Sequence, residues 1–313
     1  MDPLSVLKMA IQFILGFFAL ATVVSSLVAA LQERKIWAPA NMPSLSPFAM
    51  VKVFLFNIVW ITSSAVGCTI IWIKYFLLFG TPDIVKECNV WVEKTGSYLC
   101  CGMLGKVTVI GVENLPPEDL SVPAPVYIAN HASQIDLGAV YFIHRRFKWI
   151  AKQSVLYVPG VGLIMYTGDH VLINRVKGKN KKSVSTLFEK SDASVQSGIP
   201  MFLFPQGTRV MAKRLPFKEG AFVIAQNNKS TIVPISIDIP MNVWETWYPL
   251  IRTTVPEIKL TVHKPIKVTG QEDRQELKKQ CFEQIYSCLP PIWEREEEET
   301  TTTKEATDSK KDK

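Results

Sequence analysis

Residues 125–136 read PVYIANHASQID, and this stretch decides the fold of the chain. Its first five residues form an apolar run ending in Ala129, which is typical of a buried β-strand. The apolar spacing that follows favours a helix over 135–144. A strand that leads directly into a helix is the repeating unit of α/β proteins, whose functional side chains lie at the carboxyl ends of the strands. His131 stands at that position.

The rest of the chain from about residue 102 has the same alternating character. Short apolar runs predict further strands over 107–112, 171–173, 201–204, 232–239 and 258–262. Amphipathic runs predict further helices over 183–197, 220–227 and 274–288. This order predicts an α/β fold in which helices flank a largely parallel sheet.

His131 and Asp136 are five residues apart, a spacing that turns two side chains away from each other on a straight helix. They can meet only if His131 lies in the turn before the helix. Asp136 could then accept a hydrogen bond from one ring nitrogen and leave the other as a free base. The same pair could instead merely cap the helix. Since the chain contains no G-x-S-x-G nucleophile motif, such a base would act on a hydroxyl group of the substrate.

A second polar cluster follows the apolar run 201–204, where residues 205–209 read PQGTR. Gly207 allows the backbone to approach a ligand closely, and the planar guanidinium of Arg209 suits a phosphate group. A tight turn with a solvated arginine would give the same pattern. This cluster alone is therefore weak evidence for a phosphate site.

Two segments near the start of the chain, 9–31 and 53–73, contain no Asp, Glu, Lys or Arg. Each is long enough to cross a bilayer, and the three prolines between them require a break. We expect a membrane hairpin over 1–80, which either spans the bilayer or enters it only part of the way. A catalytic domain over 81–292 and a disordered charged tail over 293–313 would follow.

Composition narrows the function classes. The net charge of +7 suits an anionic membrane surface or a phosphorylated substrate. No signature of nucleic-acid binding accompanies that charge, so no nucleic-acid partner is expected. The six cysteines form no C-x-x-C pair, which argues against a zinc site, and no metal is predicted.

His144, His170 and His263 have no acid at a useful spacing and are interpreted as structural.

The motif N-H-x-x-x-x-D, followed about 70 residues later by F-P-x-G-T-R, resembles the glycerolipid acyltransferase family, and most closely its 1-acylglycerol-3-phosphate (lysophosphatidate) acyltransferases. Residues 149–175, 217–222 and 233–235 are similar to further blocks of that family in the same order. The resemblance implies a glycerol-3-phosphate acyltransferase-like mixed sheet flanked by helices, preceded by the two-helix membrane hairpin.

The resemblance also implies roles for individual residues. His131 would deprotonate the sn-2 hydroxyl of lysophosphatidate, and Asp136 would orient it. The acceptor oxygen would attack acyl-CoA, a co-substrate, so that no cofactor is needed and phosphatidate forms. The phosphate-binding residues would be Gly207, Thr208 and Arg209, with Lys152 and Arg175 as weaker candidates.

Gln206 departs from the family, which usually has Glu at this position. If that Glu balances the charge of the arginine, Gln206 leaves the acceptor pocket more positive. We expect activity to be retained with an altered choice of acceptor.

Three other functions fit the same motifs. The acceptor could be another lysophospholipid, the reaction could be a CoA-independent transacylation, or the chain could be an inactive membrane scaffold. The final residues 310–313, KKDK, resemble the di-lysine retrieval signal of the endoplasmic reticulum. That signal predicts an endoplasmic reticulum membrane protein whose catalytic domain faces the cytosol.

Overall fold

The computed structural model describes residues 47–117, 122–173, 180–210, 214–239 and 257–290, with scattered positions between 8 and 31. Its strands are β1 (Val107–Ile110), β2 (Val126–Ala129), β3 (Lys148–Lys152), β4 (Val171–Ile173), β5 (Met201–Leu203), β6 (Ile232–Asp238) and β7 (Ile258–Val262). Its α-helices are α1 (Pro47–Leu77), α2 (Ile84–Glu87), α3 (Glu93–Leu104), α4 (Asp136–Ala139), α5 (Val161–Thr167), α6 (Asn180–Gln196), α7 (Gly220–Asn228) and α8 (Arg274–Ser287). A π-helical segment (Cys88–Val92) and three 3₁₀ segments (Val112–Asn114, Val140–Ile143 and Gln153–Tyr157) complete the described elements.

The seven strands form one sheet in the order β1-β7-β6-β2-β5-β3-β4. Neighbours are parallel except β6 and β7, which pair antiparallel, so the predicted mixed sheet is confirmed. Five consecutive strands, from β6 to β4, therefore have their carboxyl ends at one edge. The residues that follow β2 and β5 meet there, because these two strands are direct neighbours.

The two faces of the sheet are covered by different helices. Side chains alternate along β2: Val126 and Ile128 pack into the core with α6, α7 and α8, whereas Tyr127 and Ala129 pack toward α3 and α4. All four residues of β2 are buried. A central strand buried on both faces places the residue after it at the centre of the sheet edge.

Most strands were predicted correctly from the sequence, whereas one strand and several helices were not. The predicted strands 171–173 and 258–262 agree with β4 and β7. The predicted helix over 135–144 is shorter than expected: α4 continues as a 3₁₀ segment that ends where His144 takes a φ of 55°. Strand β3, helix α5 and the short helices α2 and α3 were not predicted. Strand β3 begins and ends with a lysine, so its apolar centre is too short to give a recognisable strand pattern in the sequence.

Helix α1 contains the second predicted membrane segment. Among the described residues, Phe54–Leu77 is the one helix long and apolar enough to cross a bilayer, with a mean hydropathy of 1.8. The first predicted segment, 9–31, is described only at scattered positions, and most of it lies outside the described residues, as does the predicted tail 293–313. The two-helix hairpin therefore stays a prediction.

A buried polar network joins α3 to β3 and to the start of β4. The Glu93 carboxylate, 2% exposed, accepts hydrogen bonds from Asn89 Nδ2 (2.9 Å) and the Tyr141 hydroxyl, and lies 2.8 Å from His170 Nε2. His170 Nδ1 accepts from the backbone N–H of Trp149 at 3.0 Å, so Nε2 carries the proton and donates to Glu93. Burial and the nearby Glu93 raise the pKa of the Tyr141 hydroxyl well above its ordinary value, so it remains a donor.

His170 has an acid partner that its sequence neighbourhood does not show. Its partner, Glu93, lies 77 residues earlier in the chain, beyond the reach of any spacing argument. The interpretation of His170 as structural nevertheless agrees with its environment, because the side chain is fully buried.

We predict that Glu93→Ala lowers the free energy of unfolding by about 3 kcal/mol, because it leaves several buried donors without an acceptor. Thermal or denaturant unfolding in detergent measures the effect. Glu113→Ala is the control, because Glu113 is exposed and its loss should change stability by less than about 0.5 kcal/mol. Equal stability of the two variants would contradict the assigned role of the network.

Candidate active site

The turn between β2 and α4 brings His131 and Asp136 together. His131 Nδ1 lies 2.8 Å from Asp136 Oδ2, and the same oxygen accepts the backbone N–H groups of Ala132 (2.6 Å) and Ser133 (2.9 Å). Three donors converge on one carboxylate oxygen, so Nδ1 carries the ring proton. The predicted geometry, with the histidine in the turn before the helix, agrees with this arrangement. Asp136 is the first residue of α4, but the N–H groups that it binds precede the helix, so its side chain orients the ring and does not cap the helix.

The imidazole of His131 stacks on an aromatic ring, and one of its two nitrogens makes no hydrogen bond among the described residues. Its ring stacks on Phe204 with centroids 3.9 Å apart and an interplanar angle of 9°, and Phe204 stacks in turn on Trp149. The His131 side chain is 12% exposed, and Nε2 makes no hydrogen bond within the described part of the chain. A neutral imidazole that is fixed at Nδ1 and open at Nε2 is suited to accept a proton.

Asn130 anchors the turn to the neighbouring strand. Its side-chain amide donates to the carbonyl of Ile237 (2.8 Å) and accepts from the N–H of Ile237 (2.7 Å). These two bonds continue the pairing of β2 with β6 past the last backbone pair. The backbone therefore leaves the sheet at a fixed point, which sets the position of His131.

Two hydrogen bonds join the loop after β5 to the His131 turn. The backbone N–H of His131 donates to Gln206 Oε1 at 2.6 Å, and the N–H of Val210 donates to the carbonyl of His131 at 3.1 Å. Gln206 is 2% exposed. Its carbonyl oxygen thus binds the backbone of the candidate base. The physical reason for the altered-acceptor expectation, a charge change in an open pocket, loses support from this position.

Cationic and small residues line the same edge beside the histidine. Arg209 immediately precedes Val210 and is half-buried, Thr208 is exposed, and neither has a polar side-chain partner among the described residues. Gly207 adopts a φ of 73°, and a Cβ there would lie 2.5 Å from Lys218 Nζ. The ammonium group of Lys218 therefore covers this turn, forming with Arg209 a pair of cations suited to an anion.

The remaining predicted phosphate ligands are less well placed. Lys152 is exposed at the end of β3, which is separated from β2 by β5, so it lies about 10 Å away in the plane of the sheet. Arg175 lies outside the described residues. Both stay predictions.

Three residues of the site were not singled out from the sequence as functional. Lys218 lies in residues 217–222, which are similar to a sequence block of the acyltransferase family. Only the fold shows that its ammonium group reaches Gly207. Asn130 lies directly before His131, and Phe204 lies directly before the 205–209 loop, so their positions next to the motifs could have indicated a role. Their contacts, however, are made to residues on neighbouring strands.

The arrangement combines a proton acceptor with an anion site. No nucleophilic side chain is hydrogen-bonded to His131 Nε2 within the described ranges, so the base is available to a hydroxyl group of a bound molecule. Among these residues, no group of three or more His, Cys, Asp and Glu could hold a metal ion.

Comparison with known proteins defines the class of the domain. Residues 106–238 match the family model described as Acyltransferase. The chain therefore carries an acyltransferase-family domain, and the resemblance inferred from its motifs is confirmed. This stretch contains β1 to β6, including the turns after β2 and β5.

Several relatives share a more particular description. A 1-acyl-sn-glycerol-3-phosphate acyltransferase of Chlamydomonas reinhardtii is 39% identical over 133 residues, covering 42% of this chain and 38% of that protein. The human beta 1-acyl-sn-glycerol-3-phosphate acyltransferase is 34% identical over 112 residues, covering 35% and 40%. The chain thus spans about four tenths of the length of these relatives.

The fold also resembles a solved structure. The crystal structure of the 1-acyl-sn-glycerophosphate (LPA) acyltransferase PlsC from Thermotoga maritima superposes with a TM-score of 0.59 at 21% identity. The match covers 76% of this chain and 95% of that one. It supports the fold described above, a mixed α/β sheet with flanking helices.

We predict that Gly207→Ala weakens binding of a phosphate monoester by about tenfold. The added methyl group meets Lys218 Nζ and requires a left-handed backbone conformation that alanine disfavours, so the two cations separate. Calorimetric titration with sn-glycerol 3-phosphate measures the change. Gly102→Ala, where the added methyl group meets open space, is the matched control. Equal affinity of the two variants would exclude this turn as the anion site.

Proposed function

We propose that the protein is a membrane-bound 1-acylglycerol-3-phosphate acyltransferase. It transfers an acyl chain from acyl-CoA to the sn-2 hydroxyl of lysophosphatidate and gives phosphatidate in phospholipid biosynthesis. The observation that carries the proposal is the Nε2 of His131, which makes no hydrogen bond among the described residues and belongs to a ring oriented by Asp136 at 2.8 Å. The cations Arg209 and Lys218 lie in the neighbouring loop and have no ion-pair partner in the described part of the chain. The names of the relatives support this choice of acceptor.

The reaction follows from that geometry. The phosphate of lysophosphatidate binds to Arg209 and Lys218 over the Gly207 turn, with its hydroxyl at His131 Nε2. The imidazole takes the hydroxyl proton as the oxygen attacks the thioester carbonyl carbon. The tetrahedral intermediate then collapses, the carbon–sulfur bond breaks, and the CoA thiolate takes the proton from the imidazolium. General-base action of this kind contributes about 10²–10⁴-fold in rate.

Asp136 contributes by holding the base in one tautomer and by stabilising the imidazolium that forms. The flat contact with Phe204 limits rotation of the ring, so Nε2 stays directed at one position. Because the acceptor brings its own hydroxyl group, no acyl-enzyme intermediate is required.

We predict that Arg209→Ala raises the KM for lysophosphatidate by about 10–100-fold, the value of a lost charge-assisted hydrogen bond. The KM for monoacylglycerol, which lacks the phosphate, should change little. Purified protein is assayed with labelled acyl-CoA and a panel of lysophosphatidate, lysophosphatidylcholine and monoacylglycerol. Lys279→Ala, which removes an exposed cation of α8, is the control.

The same acceptor panel also distinguishes the proposed function from the three alternative functions. Preference for lysophosphatidylcholine would replace the proposed acceptor, and transfer from a phospholipid without acyl-CoA would indicate a transacylase. Absence of transfer from any donor would favour the inactive scaffold.

An exposed apolar surface supports a membrane location. Helix α1 leaves Val66, Ile73 and Phe76 more than half exposed, and α5, which packs beside it, exposes Tyr166 at 70%. Such a surface in water would promote aggregation, whereas a bilayer covers it. The exposed apolar side chains continue through Val90, Trp91, Leu99 and Met103. We propose that this side lies against the endoplasmic reticulum membrane with the catalytic domain in the cytosol.

The exposed Cys288 tests that orientation, because the other five cysteines are buried. We predict that a membrane-impermeant maleimide labels the protein in intact microsomes. The Cys288→Ser variant should lose the label. Labelling that requires prior permeabilisation of the microsomes would place the domain in the lumen and contradict the proposal.

A further inference from the structure

The Asp136 carboxylate is held by hydrogen bonds from within its own turn. Its Oδ2 accepts from the His131 ring and from the backbone N–H groups of Ala132 and Ser133. Its Oδ1 is buried and makes no hydrogen bond among the described residues. The backbone of His131 is bonded to the loop after β5, whereas the Asp136 side chain has no partner outside the turn in the described part of the chain. The position of Asp136 therefore depends on what packs against α4.

A close contact with α3 fixes α4. The Cys101 side chain of α3 lies against Gly138, two residues after Asp136, and a Cβ on Gly138 would be 2.8 Å from Cys101 Sγ. That distance is well inside van der Waals contact. The next nearest atoms, Cα and Cβ of Ser97, would lie 3.9 Å away, which is an ordinary contact. The Cys101 sulfur is thus the atom that excludes a side chain at position 138.

The Cys101 thiol is an uncharged group without room to move. Its side chain is fully buried, as is that of Ser97 beside it. Burial, with smaller contributions from Cys100 and the Asp136 carboxylate, raises the pKa of the thiol above its ordinary value, so it stays protonated. Close-packed interiors transmit a displacement from one group to its neighbours. A shift at the Cys101–Gly138 contact therefore shifts α4, whose first residue is Asp136.

The preceding residue, Cys100, faces the opposite side of α3. Its Sγ lies 3.7 Å from the carbonyl oxygen of Phe56 in α1. Like Cys101, it is fully buried. Helix α3 is thus packed between α1 and α4, with one cysteine against each. The two adjacent cysteines separate the contact with α4 from burial in α3 as such.

We propose that Cys101 and Gly138 are positioning residues for acyl transfer, because their contact sets α4 against α3 and thereby holds the Asp136 carboxylate where it orients His131. The inference rests on the proposed function, in which the His131–Asp136 pair is the general base. It also connects that pair to α1 and α3, the helices whose exposed apolar side chains the proposed function places against the membrane.

The first experiment compares Cys101→Ala with Cys100→Ala in the purified full-length protein. Each variant loses one buried sulfur, so we expect similar losses of thermal stability. Only Cys101→Ala should lower kcat for acyl transfer to lysophosphatidate, by about fivefold to tenfold, because small misplacements of a reacting group are costly. The KM for lysophosphatidate should be unchanged in both variants, since the candidate anion site lies on the loop after β5.

The His131 ring reports the same effect without turnover. In protein with ¹⁵N-labelled histidine, the Nδ1 proton bonded to Asp136 gives a downfield NMR signal, assigned by its loss in His131→Ala. We expect this signal to shift or broaden in Cys101→Ala and to stay in place in Cys100→Ala. An unchanged signal in Cys101→Ala, or a loss of kcat that is equal in the two cysteine variants, would overturn the proposal.

An exchange of side-chain size tests the contact itself. Gly138→Ala places a methyl group at the thiol, and we expect kcat to fall by more than about tenfold. In the double variant Gly138→Ala/Cys101→Ala the sulfur is gone, so we expect kcat to return at least to that of Cys101→Ala. Gly102→Ala, the same substitution in α3 where the methyl group meets open space, is the control.

A folded double variant that is no more active than Gly138→Ala would contradict the role of the contact. If Gly138→Ala does not fold, the two cysteine variants still decide. The failure of the proposed function looks different. If His131→Ala kept full acyl transfer, His131 would not be the base, while the Nδ1 signal would still show whether Cys101 positions Asp136.

Discussion

The hydrogen bonds of one buried carboxylate organise the edge of the sheet that carries the candidate active site. Asp136 Oδ2 binds the His131 ring and two backbone N–H groups of the same turn, so the residue that orients the base also closes the loop that carries it. The Asp136 side chain is fully buried. Loss of the carboxylate would therefore affect the shape of the turn and the tautomer of the histidine together.

The parallel sheet supplies the second constraint. Because β2 and β5 are neighbours with the same direction, His131 and the PQGTR loop emerge side by side, and two hydrogen bonds then join them. The candidate base and the candidate anion site are thus parts of one hydrogen-bonded unit. Asn130 connects that unit to β6, and the stack of Trp149 and Phe204 supports the ring from the β3 side.

The sequence was sufficient for the α/β fold, the His131–Asp136 pair and the Arg209 turn, because each depends on short-range spacing at the end of an apolar strand. It could not predict contacts between distant segments. The pairing of Glu93 with His170, the approach of Lys218 to Gly207, and the contact of Gln206 with His131 all depend on the tertiary packing of strands, helices and loops. The sequence drew attention to Gln206, but only the fold shows that its side chain binds the backbone of His131.

In the proposed reaction, the His131–Asp136 pair acts as a general base on a lysophosphatidate hydroxyl group. Its most direct test is the rate of acyl transfer from acyl-CoA to lysophosphatidate by purified Asp136→Asn, under saturating concentrations of both substrates. We expect a fall in kcat of at least about 10²-fold in a folded protein, because the base loses its orientation and the stabilisation of its charged form. A kcat equal to that of the wild type would contradict it.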